Sequence, residues 1–171
     1  MSTVAVYPGS FDPPTLGHVS MVERGLAVFD RLIVAVAANP AKQSLFTVEE
    51  RLELLEKSLK PVSPDRVEID HYEGLTVSYA RRKGAAAVLR GLRATSDFEY
   101  EFQMAMMNRH LEKGIHSVYL MADYQWFFLS SSTVKEAASL GADVSDLVPG
   151  AVLDMLKAKF GRGKGGGGSG A

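Results

Sequence analysis

The first eighteen residues constrain the fold most, because they have the pattern of a buried strand, a tight loop and the start of a helix. Residues 3–7 are rich in β-branched and aromatic side chains, which favours a strand covered on both faces. The strand pattern breaks at Pro8-Gly9, and a helical pattern begins at Thr15. Such a segment presents free backbone N–H groups and the positive end of a helix dipole. It therefore predicts an anion site suited to phosphate.

Strand and helix patterns alternate along the rest of the chain without an internal repeat. A capping box made by Thr47 and Glu50 marks the start of the second helix. The predicted strands are residues 3–7, 31–37, 66–70, 86–89 and 117–121. The later helices are predicted at 47–59, 75–83, 96–111, 130–138 and 148–160. This alternation predicts an α/β protein with a Rossmann-like, open parallel five-stranded sheet and helices on both faces.

Length and composition bound the class of protein. The 171 residues suit one domain, which we expect to span residues 1–160. Residues 161–171 have the composition of a flexible glycine-rich tail, either an engineered addition or a natural disordered end. The absence of cysteine excludes thiolate nucleophiles and Cys-ligated zinc.

Charge and hydropathy narrow the expected partners and location. A net charge of −1 gives no basic field for nucleic acid. No apolar run reaches the ~18 residues that a membrane span needs, and no signal peptide is visible at the start of the sequence. We therefore expect a cytoplasmic protein that binds neither nucleic acid nor membrane.

Polar clusters follow the end of every predicted strand. Because the carboxyl ends of parallel strands meet at one edge of a sheet, we expect these clusters to converge there, where open α/β sheets bind ligands. The clusters are residues 10–18, 39–42, 74–76, 90–93 and 126–132.

Two basic side chains in these clusters are candidates for phosphate contact. His18 lies on the first turn of the first helix, where a ring N–H can donate to a bound phosphate; the alternative is a histidine packed against its own loop. Lys42 follows the second strand at the same edge, and the alternative is a solvated loop lysine. The other histidines show no ligand spacing with His18, so we predict no protein metal site.

Arginines and serines complete the predicted edge. Arg90 and Arg93 follow an apolar strand, and guanidinium groups match phosphate oxygens; the alternative is an ion pair with Asp97 or Glu101. Residues 130–133 are three serines and a threonine at a helix start, more hydroxyls than one cap requires, which indicates a second phosphate site. Trp126 is compatible with the core, a lid or a surface near an adenine, and we favour a loop that flanks a nucleotide.

Four segments of the sequence match the motifs of one known family. They are YPGSFDPPTLGH (7–18), FTVEER (46–51), RGLRATSDFEYEFQMAMMNRHL (90–111) and WFFLSSSTVKE (126–136). On these segments the chain resembles the bacterial phosphopantetheine adenylyltransferases, of the nucleotidylyltransferase superfamily with its T-x-G-H motif. The resemblance extends over about residues 4–160, and the RGLR…DFEYE and SSS-x-VKE blocks are its most specific parts.

The resemblance implies adenylyl transfer from ATP to 4′-phosphopantetheine, giving dephospho-coenzyme A and pyrophosphate. The catalytic residues it implies are His18, Lys42 and Arg93. The implied residues for phosphopantetheine are Ser10, Lys42, Thr76, Arg90 and Asn108. The implied residues for ATP are Ser10, Phe11, His18, Gly91, Leu92, Arg93, Glu101, Trp126, Phe127, Phe128, Leu129, Ser130, Ser131 and Ser132.

The resemblance also implies partners. Mg²⁺ would accompany ATP, coenzyme A would act as a feedback inhibitor, and the chain would assemble as a homohexamer. Two other readings stay open: another nucleotidylyltransferase, such as one that acts on nicotinamide mononucleotide, and a non-catalytic nucleotide-binding or scaffold protein. A dinucleotide-dependent oxidoreductase is disfavoured, because no G-x-G-x-x-G follows the first strand.

Overall fold

The computed structural model describes residues 2–39, 43–93 and 95–161, and within them strands and helices alternate as expected. The strands are β1 (Val4–Gly9), β2 (Arg31–Ala37), β3 (Val67–Tyr72), β4 (Ala87–Leu92) and β5 (His116–Met121). The helices are α1 (Leu16–Leu26), α2 (Val48–Leu59), α3 (Thr76–Arg82), α4 (Thr95–Leu111), α5 (Ser131–Ser139) and α6 (Gly150–Gly161). Lys42 and most of the predicted tail, residues 162–171, lie outside the described residues.

The five strands form one parallel sheet in the order β3-β2-β1-β4-β5. The chain builds one half outward from β1 to β3 and then crosses to the other side of β1 for β4 and β5. The switch point therefore lies between β1 and β4, and ligands bind at the carboxyl ends of such strands.

Helices cover both faces of the sheet. On one face, Met21, Val22 and Leu26 of α1 pack with Leu55 and Leu59 of α2 against the sheet. On the other face, side chains of α3 and Ile115 pack against β1, β2 and β4. The predicted Rossmann-like five-stranded sheet with helices on both faces is confirmed. Each buried side chain of this size stabilises the fold by about 1.5–3 kcal/mol relative to an exposed one.

A third apolar cluster joins the last two helices to α2. It contains Phe46 and Leu54 at the α2 end and Leu129, Val134 and Val152 at the other. This cluster holds the start of α5 beside the loop that follows β1. The predicted caps are present, because Thr47 and Glu50 form a capping box and Ser130 caps α5.

The strand ends differ from the prediction at the switch point. Arg90, Gly91 and Leu92, predicted as a loop, belong to β4, because they pair with residues 119–121 of β5. Likewise Pro8 and Gly9 belong to β1 and pair with β2. Between β1 and β4, however, the register stops at Val6 and Val88. Beyond these residues β1 pairs only with β2, and β4 pairs only with β5. A cleft therefore opens between β1 and β4.

Smaller boundaries also differ. Helix α6 includes Gly161, one residue beyond the predicted end of the domain, and β3 extends to Tyr72, two residues further than predicted. Gly84, predicted to stop α3, has the left-handed conformation expected there, with φ of 67°. None of the helices in the described part of the chain is both long and apolar enough to cross a membrane.

Candidate active site

A cleft of about 530 Å³ lies where β1 and β4 separate. It is lined by the end of β1 and its loop, the first turns of α1, the end of β4, α4, and the segment that leads into α5. The predicted site residues that line it are Ser10, Phe11, His18, Arg90, Gly91, Arg93, Glu101, Trp126, Leu129, Ser130, Ser131 and Ser132. The structure therefore brings together residues from three of the five predicted clusters.

Five other predicted site residues do not line this cleft. Leu92 ends β4, whereas Phe127 and Phe128 are exposed and pack edge to face on each other. Thr76 begins α3, where its hydroxyl lies 2.7 Å from that of Tyr72, and Asn108 lies half-buried on α4. Their roles, like that of Lys42, stay predictions.

The loop after β1 is held by a buried arginine. Arg51 of α2 is 5% exposed and donates from Nη1 to the Ser10 carbonyl oxygen at 2.9 Å. Phe11, which follows, has a left-handed backbone with φ of 47° and a side chain that is 1% exposed. The fixed backbone leaves Ser10 exposed at the cleft, and its hydroxyl has no hydrogen-bond partner among the residues described.

His18 is held in one tautomer by its own helix cap. The backbone N–H of Thr15 donates to Nδ1 of His18 at 3.0 Å, so the ring proton is assigned to Nε2. Burial, and to a smaller extent the positive charge of Arg93, together lower the pKa of His18 to about 4. The ring of Phe11 packs edge to face on the imidazole at 5.0 Å. His18 is thus a neutral Nε2–H donor at neutral pH.

Arg90 forms an ion pair with Glu101, which is the alternative to a phosphate contact that its sequence position allowed. Its Nη2 lies 2.6 Å from Oε1 of Glu101, and its Nε donates to the same carboxylate. The hydroxyl of Tyr119 donates to the backbone oxygen of Glu101 at 2.8 Å, which fixes this turn of α4 against β5. Glu101 therefore orients Arg90 at the cleft wall.

Arg93 connects the end of β4 to the segment before α5. Its Nη1 donates to the Leu129 carbonyl oxygen at 3.2 Å, and its Nε lies 3.4 Å from Asp97. The ion pair with Asp97, the other alternative considered from the sequence, is therefore also present. Since the side chain is 43% exposed, the guanidinium keeps access to the cleft.

The three serines have three different environments. Ser130 caps α5 by accepting from the Thr133 backbone N–H at 3.1 Å. Ser131 donates to the Pro13 carbonyl oxygen at 2.7 Å and so joins α5 to the loop after β1. Ser132 is exposed on the cleft, and its hydroxyl has no partner in the part of the chain that the structure describes. Among the serines that line the cleft in the described part of the chain, Ser10 and Ser132 thus keep hydroxyls available to a ligand.

Sequence reasoning missed the residues that hold this geometry. Thr15 fixes the tautomer of His18, Arg51 fixes the Ser10 backbone, and Asp12 binds three donors from two other segments. The cap position of Thr15 was a usable local signal. Arg51 and Asp12 gave no local signal, because their partners are distant in sequence. Within the described ranges, no group of three His, Cys, Asp or Glu side chains could hold a metal ion.

The fold and the cleft together define an α/β nucleotide-binding protein, and relatives narrow that class. The model of the cytidylyltransferase-like family matches residues 6–137. The chain is 51% identical to the phosphopantetheine adenylyltransferase of Desulfosudis oleivorans, over 92% of this chain and 93% of that one. It is also 51% identical to that of Syntrophus aciditrophicus, over 94% and 96% of the two chains. The chain therefore belongs to the cytidylyltransferase-like family and, within it, to the phosphopantetheine adenylyltransferases.

A solved structure supports the fold independently. A provisionally assigned nicotinate-nucleotide adenylyltransferase from Vibrio parahaemolyticus superposes with a TM-score of 0.66. The superposition covers 91% of this chain and 99% of that one at 17% sequence identity. At this identity the likeness concerns the fold alone.

Proposed function

We infer that the protein transfers the adenylyl group of ATP to 4′-phosphopantetheine, giving dephospho-coenzyme A and pyrophosphate. Relatives that share about half of its residues over nearly their whole length are phosphopantetheine adenylyltransferases. The structural observation that carries the inference is His18, a neutral Nε2–H donor in a cleft that Arg90, Arg93 and the N-termini of α1 and α5 also line. Such a site suits a reaction between two anions.

The reaction needs no general base. The phosphate of phosphopantetheine is already ionised at neutral pH, so one of its oxygens attacks the α-phosphorus of ATP in line. The new P–O bond forms as the bond from that phosphorus to the bridging oxygen of the β-phosphate breaks, and pyrophosphate leaves with the electron pair. The cleft must align two anions and neutralise the charge that builds on the α-phosphate.

His18 would donate from Nε2 to an α-phosphate oxygen, and Arg93 would share the same charge. Lys42 is the third proposed catalytic residue, and it lies outside the described residues. The free hydroxyl of Ser132 and the N-terminus of α5 would receive the other phosphates of ATP. Arg90 and the Ser10 hydroxyl would hold the phosphate of phosphopantetheine on the opposite side.

Four further features belong to the proposal. ATP would enter as its Mg²⁺ complex, with the ion carried by the substrate. Coenzyme A, which contains the product, would compete for the same cleft as a feedback inhibitor. The homohexamer is supported by the exposed apolar side chains along α4, including Phe98, Phe102 and Met107. A cytoplasmic location agrees with the use of ATP.

The test is pyrophosphate release from ATP in Mg²⁺ buffer with 4′-phosphopantetheine, with nicotinamide mononucleotide, or with no acceptor. Release that requires phosphopantetheine, with dephospho-coenzyme A identified by mass, is the expected outcome. Release only with nicotinamide mononucleotide would keep the family and overturn the substrate. Folded protein that binds ATP and releases nothing would favour a binding or scaffold role.

A further inference from the structure

Asp12 is a buried carboxylate at the centre of the loops around the cleft, although it does not line the cleft. It is 4% exposed and accepts from three donors. Its Oδ1 accepts from the Phe46 backbone N–H at 2.8 Å. Its Oδ2 accepts from the Leu45 N–H at 3.0 Å and from Nζ of Lys135 at 2.6 Å. With every oxygen partnered, this carboxylate is suited to stay ionised.

Asp12 and its three donors come from three different parts of the site. Asp12 lies two residues after Ser10 in the loop that follows β1. Leu45 and Phe46 end the segment that connects β2 to α2. Lys135 lies on α5, one turn beyond the serines at its N-terminus. One carboxylate therefore ties together the elements that carry the proposed contacts to both substrates.

Lys135 forms an ion pair with Asp12 and does not line the cleft. Its side chain is 28% exposed, and Asp12 is the carboxylate that it contacts. A second link runs in parallel, because Ser131 donates to the Pro13 carbonyl oxygen. The two contacts fix the direction of the first turns of α5 relative to the loop after β1.

We propose that the Asp12–Lys135 ion pair is a positioning device for adenylyl transfer. It holds the α5 serines in register with Ser10 and His18, so that the α-phosphate meets the attacking phosphate in line. The proposal rests on the proposed function. Alignment contributes strongly to reactions between bound groups, and a displacement of about 1 Å can cost on the order of 100-fold in rate.

The test compares Lys135→Met, Asp12→Asn and the double variant with Lys135→Arg in steady-state pyrophosphate release. Lys135→Met and Asp12→Asn are each expected to lower kcat about 10- to 100-fold, because the phosphate-facing elements lose their register. The kcat of the double variant should be no lower than that of the less active single variant, since each single substitution already removes the same interaction. Lys135→Arg, which keeps the positive charge, should retain most of the kcat of the unsubstituted protein.

A matched pair controls for loss of stability. Lys83 and Asp70 also form an ion pair at 2.6 Å, between the C-cap of α3 and β3, away from the cleft. The two lysine side chains are similarly exposed, whereas Asp70 is more exposed than Asp12. Lys83→Met and Asp70→Asn should lower the melting temperature without changing kcat per folded molecule. Rates are normalised to the folded fraction, measured by circular dichroism.

Three outcomes would overturn the proposal. If kcat per folded molecule stays unchanged in Lys135→Met, the ion pair only stabilises the fold. If Lys135→Met raises KM for ATP while kcat is preserved, Lys135 is a direct ATP ligand. If the unsubstituted protein itself releases no pyrophosphate with phosphopantetheine, the proposed function fails and the positioning role fails with it.

Discussion

Glu101 holds Arg90 from the protein side and leaves it facing the cleft. The shortest contact, between Nη2 of Arg90 and Oε1 of Glu101, is 2.6 Å. The carboxylate side chain is only 10% exposed, whereas the arginine side chain is 37% exposed. A guanidinium has five N–H donors, so the donors that Glu101 does not use remain available to a phosphate.

Arg90→Ala should raise the apparent KM for phosphopantetheine at least about tenfold and that for ATP by less, since a hydrogen bond to a charged group contributes about 1.5–3 kcal/mol. Glu101→Gln should move the same KM in the same direction by a smaller amount, because an amide keeps a hydrogen bond to Arg90 but not the charge. The measurement is initial-rate kinetics with each substrate varied in turn. Equal changes in both KM values would contradict the assignment of Arg90.

The imidazole of His18 in the free protein should stay neutral down to about pH 4. A two-dimensional ¹H–¹⁵N spectrum of the side chain should show the Nε2–H tautomer, with no titration step near the ordinary value of 6.5. His18→Gln identifies the resonances. A midpoint near 6.5 would mean that the ring is neither buried nor held by Thr15.

The same pKa has a consequence for stability. Because the pKa of folded His18 lies below 6.5, the unfolded chain takes up the proton first as the pH falls. The stability that neutral His18 provides is complete above pH 6.5, falls between pH 6.5 and about 4, and then changes no further.

His18→Ala should lower kcat at least about 100-fold, because it removes a donor to the charge that develops in the transition state. The circular dichroism spectrum should be unchanged. His116→Ala is the control, since His116 is exposed at the start of β5, on the opposite edge of the sheet. Near-normal turnover in His18→Ala would remove His18 from the mechanism.

Alanine substitutions of two serines at the start of α5 should have separate effects, one on stability and the other on ATP binding. Ser130→Ala removes the helix cap and should lower the free energy of unfolding by about 0.5–2 kcal/mol. Ser132→Ala should leave stability unchanged and raise KM for ATP, because that hydroxyl faces the cleft without a protein partner among the described residues. Chemical denaturation and initial rates measure the two effects. A stability loss in Ser132→Ala would mean that its hydroxyl is used within the fold.

The elements and their order could be predicted from sequence because their signals are local. The capping box of Thr47 and Glu50, the cap at Ser130 and the apolar strand cores all lie within a few residues of the structure they specify. The convergence of the loops at one edge then follows from a parallel sheet. The predicted end of β4 was wrong because its signal is not local. Arg90 and Gly91 have no strand pattern in the sequence, and they belong to the strand because they pair with β5.

The supports of the site could not be predicted, because they are contacts between distant residues. Asp12 and Lys135 are 123 positions apart, and Arg51 and Ser10 are 41 apart. Local periodicity carries no information about such partners. The sequence likewise could not decide whether Arg90 contacts a phosphate or forms an ion pair. The structure shows that the ion pair with Glu101 orients the arginine at the cleft.

Alanine substitutions at Gly25 and Gly9 should distinguish the effect of overpacking in the core from the effect of overpacking against the Phe11 ring that contacts His18. A Cβ at Gly25 would lie 2.7 Å from Leu89 and 2.8 Å from Leu32, and both leucines are fully buried. A Cβ at Gly9 would lie 2.9 Å from the ring of Phe11, which packs on the His18 imidazole. Each alanine should cost about 1–3 kcal/mol of stability through overpacking.

The catalytic effects of these two substitutions should differ. Gly9→Ala should also lower kcat, because a displaced Phe11 ring moves the imidazole, whereas Gly25→Ala should keep kcat per folded molecule. Thermal denaturation gives the stabilities, and pyrophosphate release normalised to folded protein gives the rates. Equal losses of kcat in the two variants would show that catalysis follows overall stability and that Phe11 does not position His18.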